Sequence, residues 1–130
     1  MLSKLRRKRI GRRYEYYIGW LLRQDGWLIS ERTSLGVDDE GIDLIAHKGP
    51  RTAYVQCKGW SPLKLIHENV IDHLYGSVAY QVGPDQVHTV DVILYTSSSL
   101  TTHAVAHAAK LGVQVLQAEY PRWKRKKQFN

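Results

Sequence analysis

Asp43, Gln56 and Lys58 are the residues of this sequence whose types and spacing suit chemistry on a charged substrate. They lie in DEGIDLIAHKGPRTAYVQCKGW, residues 39–60, where two strand-like segments, IDLIAH and TAYVQCK, are joined by KGPR. Side chains alternate along a strand, so Asp43, Ile45 and His47 are expected on one side, with Ile42, Leu44 and Ala46 on the other. Tyr54, Gln56 and Lys58 likewise share a side, opposed by Val55 and Cys57. If KGPR pairs the two strands, Asp43 at the start of one lies beside Gln56 and Lys58 at the end of the other. A simple ion pair between Asp43 and Lys58 is the bland alternative, and such pairs, partly buried, often fail to offset their desolvation. Asp39 and Glu40 crowd the same strand entry, and like charges so close repel unless a cation or proton intervenes. Mg²⁺ suits this setting: it takes hard oxygen ligands, needs only one or two carboxylates and keeps several waters. A backbone carbonyl such as that of Cys57 can complete its shell.

Those two strands need a scaffold to hold them. Tyr14, Tyr17, Ile18, Leu21 and Leu22 recur at helical spacing over about 5–24, and Asp25-Gly26 stops the run. WLISE (27–31) reads as a short strand and RTSLGVDDEG (32–41) as a polar, glycine-punctuated loop. Gly49-Pro50 marks a tight turn. After Ser61-Pro62 a helix is expected over about 65–81, with Ile66, Val70, Leu74 and Val78 at steps of four. GPDQ (83–86) reads as a turn, and VHTVDVILYT (87–96) as the longest strand, placed centrally. Ser97 to Thr102 offer N-caps for a helix ending near Lys110, with Gly112 as its stop, and VQVLQ (113–117) is a last strand. The order αβββαβαβ predicts an α/β fold, a mixed sheet flanked by helices.

The net charge of +7 on 130 residues is unevenly spread. Residues 1–13 hold seven Lys/Arg and no acid, and 122–130 hold five and no acid, leaving a body of net charge −5 between them. The expected organisation is a basic arm (1–13) leading into the first helix, a domain over 14–120 and a basic tail (121–130). Such polarisation suits a polyanion held at the edges by Arg6, Arg7, Lys8, Arg9, Arg12, Arg13, Arg122, Lys124, Arg125, Lys126 and Lys127. Trp123, set among these last cations, is a candidate contact to nucleic acid. The lone Cys57 excludes an internal disulfide and is compatible with a reducing cytoplasm. No apolar run approaches the roughly 20 residues needed to span a bilayer, so no membrane partner is expected. His103 and His107 are four apart, as zinc ligands can be, but no third ligand accompanies them and they read as surface histidines.

Asp43 followed by Gln56-Cys57-Lys58 resembles the PD-(D/E)xK nuclease superfamily. The fuller string, D-E-G-I-D-L-I-A with V-Q-C-K (39–46 and 55–58), is similar to the Mrr-type restriction endonuclease catalytic domain, in which Q-x-K stands for (D/E)-x-K. The likeness runs back to G-R-R-Y-E-Y-Y (11–17) and forward through H-L-Y-G (73–76), Thr96-Ser97 and the alanine-rich helix before Gly112-Val113. It implies a restriction-endonuclease-like αβββαβ core and metal-dependent DNA cleavage. On that resemblance, Asp43 is the central metal ligand, and Gln56 is a ligand or water-positioner. Lys58 orients or deprotonates the attacking water, and Glu15 reaches the site from the first helix. With no carboxylate at 56, metal affinity leans on Glu15 and Asp39.

The expected activity is therefore a Mg²⁺-dependent endodeoxyribonuclease, with Mn²⁺ able to substitute, acting on duplex or branched DNA. The short basic build also resembles Holliday-junction resolvases, which act as dimers, and a homodimer would supply two sites for two strands. A DNA-binding module without catalysis is the reading from another class, and RNA shares the electrostatics of DNA as a partner.

Overall fold

The computed structural model describes residues 4–32 and 41–121, with side chains over 11–30 and 41–121. The fold is α/β. Helix α1 (Lys4–Gln24) leads to strand β1 (Leu28–Arg32), then β2 (Leu44–Lys48) and β3 (Arg51–Lys58). Helix α2 (Glu68–Val82), a 3₁₀ segment (Pro84–Thr89), β4 (Asp91–Thr96), α3 (Thr102–Leu111) and β5 (Gln114–Gln117) follow. The five strands form one mixed sheet in the order β1-β2-β3-β4-β5. The first three are antiparallel, whereas β3, β4 and β5 run parallel, as helical crossovers require.

Each face of the sheet buries its own cluster. On one, Tyr14, Ile18 and Leu22 of α1 pack against Leu44, Ala46, Ala53, Val55 and Ile93. Their spacing of four places them one above another on the helix, so one stripe meets one sheet face. On the other face, Val70, Ile71, Leu74 and Val78 of α2 pack on Ile45, Tyr54 and Leu94, with Ala108 of α3 beside them. Each fully buried aliphatic here contributes about 1.5–3 kcal/mol. His107 Nε2 lies 2.6 Å from Asp72 Oδ1, tying α3 to α2 across the surface. Thr101 caps α3 by accepting from Ala104 N–H, and Gly112 ends it in the left-handed region.

Several sequence expectations need correction. The run 87–96 is not one strand: Pro84 at the start of a 3₁₀ segment carries 84–89 away from the sheet, and β4 begins at Asp91. The longest strand and the middle of the sheet is β3 instead. Ile66 is buried but precedes α2; its N–H donates to Ser99 C=O and its C=O accepts from Thr101 N–H, a bridge that replaces a first helical turn. Ile42 joins the cluster of Ile45 rather than that of Leu44, because β2 starts at Leu44 and strict alternation does not extend to 42. The sequence stretch called the basic arm continues α1 as far back as Lys4, so Arg6, Arg7, Lys8 and Arg9 belong to a helix.

Candidate active site

The Gly49-Pro50 turn sets the register of the hairpin, with Lys48 opposite Arg51 and Leu44 opposite Val55. Asp43 directly precedes that last pair, at the mouth of the hairpin. The regular ladder ends there: Asp43 N–H donates at 2.8 Å to the C=O of Val55, the residue already opposite Leu44. The Asp43 carboxylate then reaches across to β3, where Oδ2 accepts the backbone N–H of Cys57 at 2.7 Å. A hydrogen bond to the charged form holds this carboxylate in one place at the strand entry. Asp43 is buried, at 9% exposed.

Gln56 is 5% exposed, and its Oε1 is fully buried without a hydrogen-bond partner among the described residues. A buried acceptor left without a partner costs about 1–3 kcal/mol, and a bound cation or an ordered water would satisfy it. Lys58, two residues on and on the same side of β3 by alternation, is half-buried, with Nζ 5.1 Å from the centre of the Trp60 ring. Its backbone C=O accepts Ser97 N–H, so the ends of β3 and β4 are locked where the lysine leaves the sheet.

Two glycines let neighbouring elements close on this point. Gly41 has φ +122°, and a Cβ there would lie 2.8 Å from Ser77 Oγ and 2.9 Å from the His73 carbonyl of α2. It seats the approach to Asp43 against α2. Gly59 follows Lys58, and a Cβ on it would lie 2.5 Å from the Tyr14 ring. Tyr14 thus packs α1 over the exit of β3, with its hydroxyl donating to Ala118 C=O at 2.6 Å. Glu15 is the next residue on that helix turn and is half-buried. Burial pushes the phenols of Tyr14 and Tyr95 upward, with Cys57 as a further contributor to both and Asp25 to Tyr95.

The structure thus bonds Asp43 to Val55 C=O and Cys57 N–H, the two neighbours of Gln56 on β3, with Lys58 two residues further along that strand. Arg12 and Arg13 are exposed on α1. Asp39, Glu40, Arg122, Trp123, Lys124, Arg125, Lys126 and Lys127 lie outside the described residues. Sequence reasoning missed Gly41, Gly59 and Tyr14 as supports; a glycine directly after the lysine was the available signal for one of them. Among the described residues no three His, Cys, Asp or Glu side chains gather as a metal cluster. An ion here would rest on one carboxylate and the orphaned amide oxygen, an all-oxygen donor set that fits a hard cation such as Mg²⁺.

No curated protein matches the chain by sequence. Among solved structures, EndoMS in a complex with double-stranded DNA superposes with a TM-score of 0.64 at 14% identity, over 89% of this chain and 46% of that one. A repair endonuclease from Pyrococcus abyssi gives 0.59 at 15% identity, over 83% and 46%. MspJI restriction endonuclease in complex with a 27-mer oligonucleotide gives 0.56 at 13% identity, over 82% and 25%. The chain therefore spans less than half the length of each, and what they share with it is the fold. The family model of the Mrr-type catalytic domain, described as "Restriction endonuclease", matches residues 7–119, and the chain belongs to that family.

Proposed function

We propose that this chain is the catalytic unit of a Mg²⁺-dependent DNA endonuclease, with Mn²⁺ able to substitute. The buried Oε1 of Gln56, without a partner among the described residues, next to Cys57, whose N–H anchors the Asp43 carboxylate, carries the reading. Asp43 and Gln56 would hold the ion, with the Cys57 carbonyl and either Glu15 or Asp39 completing the protein ligands. Such an ion, when bound, lowers the pKa of its water and offsets charge on the phosphate oxygens. Lys58 supplies a fixed positive charge beside them, suited to orienting a water and to stabilising the charge that develops on the phosphorane. Its packing on Trp60 limits its rotamers and keeps that charge near the ends of β3 and β4.

DNA as the partner is supported by family membership and by the nucleic acid in the EndoMS and MspJI complexes. The exposed Arg12 and Arg13, with the further cations of residues 4–9 and 122–127, would hold the backbone by counterion release. A homodimer would cut both strands of a symmetric target. Incubation of the purified protein with supercoiled plasmid tests the proposal: nicked or linear product is expected with Mg²⁺ and none with a chelator. Intact plasmid under both Mg²⁺ and Mn²⁺ would favour a non-catalytic binding module instead.

A further inference from the structure

The loop between β3 and α2 places a nearly naked leucine on a rigid mount beside Lys58. Leu63 is 94% exposed and Leu65 is 47% exposed. Single exposed apolar residues are ordinary on protein surfaces. What sets Leu63 apart is how firmly its backbone is held without its side chain being buried. At one foot of the loop, Ser97 Oγ donates to Trp60 C=O at 2.6 Å and Ser98 Oγ donates to Ser61 C=O at 2.9 Å. At the other, Ile66 is bridged to Leu100. Between them Ser61 C=O accepts Lys64 N–H at 2.9 Å, and Ser61 Oγ accepts Leu63 N–H at 3.3 Å. Pro62 fixes φ at the second position of this Ser61–Lys64 turn, which leaves Leu63 at its tip.

The surroundings of the tip are cationic and aromatic. Lys64 Nζ stands 3.9 Å from the centre of the Trp60 ring, on which Lys58 also packs. A protruding leucine beside a proline, with a lysine next to it, has the chemistry of an apolar wedge that enters a base step while the cation holds a phosphate. A pre-ordered mount lowers the entropy lost when the wedge is used.

We propose that Leu63 inserts between base pairs of duplex DNA next to the scissile phosphate and unstacks them, so that the enzyme prefers sites where the duplex deforms readily. This rests on the DNA endonuclease reading above and adds the kind of substrate to it. Unstacking a step is costly, and least so where the base is already mismatched. The wedge therefore matters most on perfectly paired DNA.

The test uses the whole chain and duplexes carrying 2-aminopurine at successive positions around the cut, with Ca²⁺ replacing Mg²⁺ for binding and Mg²⁺ present for cleavage. The unmodified protein is expected to raise 2-aminopurine fluorescence at one step, and Leu63→Ala to abolish that rise. In Mg²⁺, Leu63→Ala should slow cleavage of the paired duplex about 10-fold and leave a duplex mismatched at that step within about twofold. Leu63→Phe should restore the signal; Leu63→Lys should keep affinity without restoring it. Cleavage by the unmodified protein together with an unchanged signal and unchanged paired-to-mismatched ratio in Leu63→Ala would overturn the wedge alone. A change of oligomeric state in that variant with an unaltered fluorescence signal would assign the loop to a second copy and overturn it too. Absence of any DNA binding or cleavage by the unmodified protein would overturn both this inference and the reading beneath it.

Discussion

The carboxylate of Asp43 accepts the backbone N–H of Cys57 at 2.7 Å, so the candidate metal ligand is also a clamp between two strands. The two roles separate on substitution. Asp43→Asn keeps an acceptor oxygen for Cys57 and should melt within a few degrees of the parent. Asp43→Ala strips the amide of its partner and should lose about 1–3 kcal/mol of stability, seen as a lower denaturant midpoint.

Gln56 offers the converse test. Its orphaned Oε1 costs stability in the metal-free protein. Gln56→Met should raise the unfolding free energy by about 1 kcal/mol while cleavage is lost, since an apolar side chain of similar size leaves nothing unsatisfied. Gln56→Glu should lower the Mg²⁺ concentration needed for half-maximal cleavage, because it adds a second hard anionic donor next to Asp43. Both variants are measured by urea unfolding and by Mg²⁺ titration of the cutting rate.

Alkaline stability should report on Tyr14. Burial holds its phenol above the ordinary value of about 10, so the folded state keeps a proton that the unfolded chain releases. That contribution is complete below about pH 10 and falls as the pH climbs beyond it. Tyr14→Phe should cost about 1 kcal/mol at neutral pH through the lost bond to Ala118, yet decline less steeply on the alkaline side. Urea midpoints between neutral pH and about pH 11 check the sign. Tyr95, raised by burial in the same direction, leaves a residual slope in the variant.

Much of the scaffold was legible in the sequence because its signals are local. The stripe Tyr14, Ile18, Leu22 gave α1, Thr101 and Gly112 bounded α3, and Gly49-Pro50 fixed the hairpin register. That register carries Asp43 to the mouth of the hairpin, where its bonds to Val55 and Cys57 depart from strict alternation. The start of β4 was misread because β-branched residues at 87–90 look like strand until Pro84 and the 3₁₀ turn claim them. Gly41 was illegible for a different reason. Its value depends on the approach of α2 from some thirty residues away, and no local pattern encodes a tertiary contact.

That contact makes a prediction of its own. Gly41→Ala meets both a positive φ and the Ser77 and His73 atoms, so it should destabilise by about 1–3 kcal/mol. Because the residue leads into Asp43, the same variant should need more Mg²⁺ for cleavage even at temperatures where it is fully folded. Thermal melts and Mg²⁺ titration on one preparation separate these effects.

Phosphate contacts by α1 are open to measurement through salt. Arg12→Gln and Arg13→Gln should each weaken binding evenly across DNA sequences and reduce the slope of log affinity against log salt by about 1. Fluorescence anisotropy over a range of salt concentrations gives that slope directly.

The most direct test is a comparison of single-turnover cleavage of one plasmid in Mg²⁺ by the parent, Asp43→Asn and Lys58→Ala, with DNA affinity measured in parallel. The hydrolytic site described here predicts a loss of at least about 100-fold in rate for both variants with affinity little changed. Cleavage at the parental rate by either variant would contradict it.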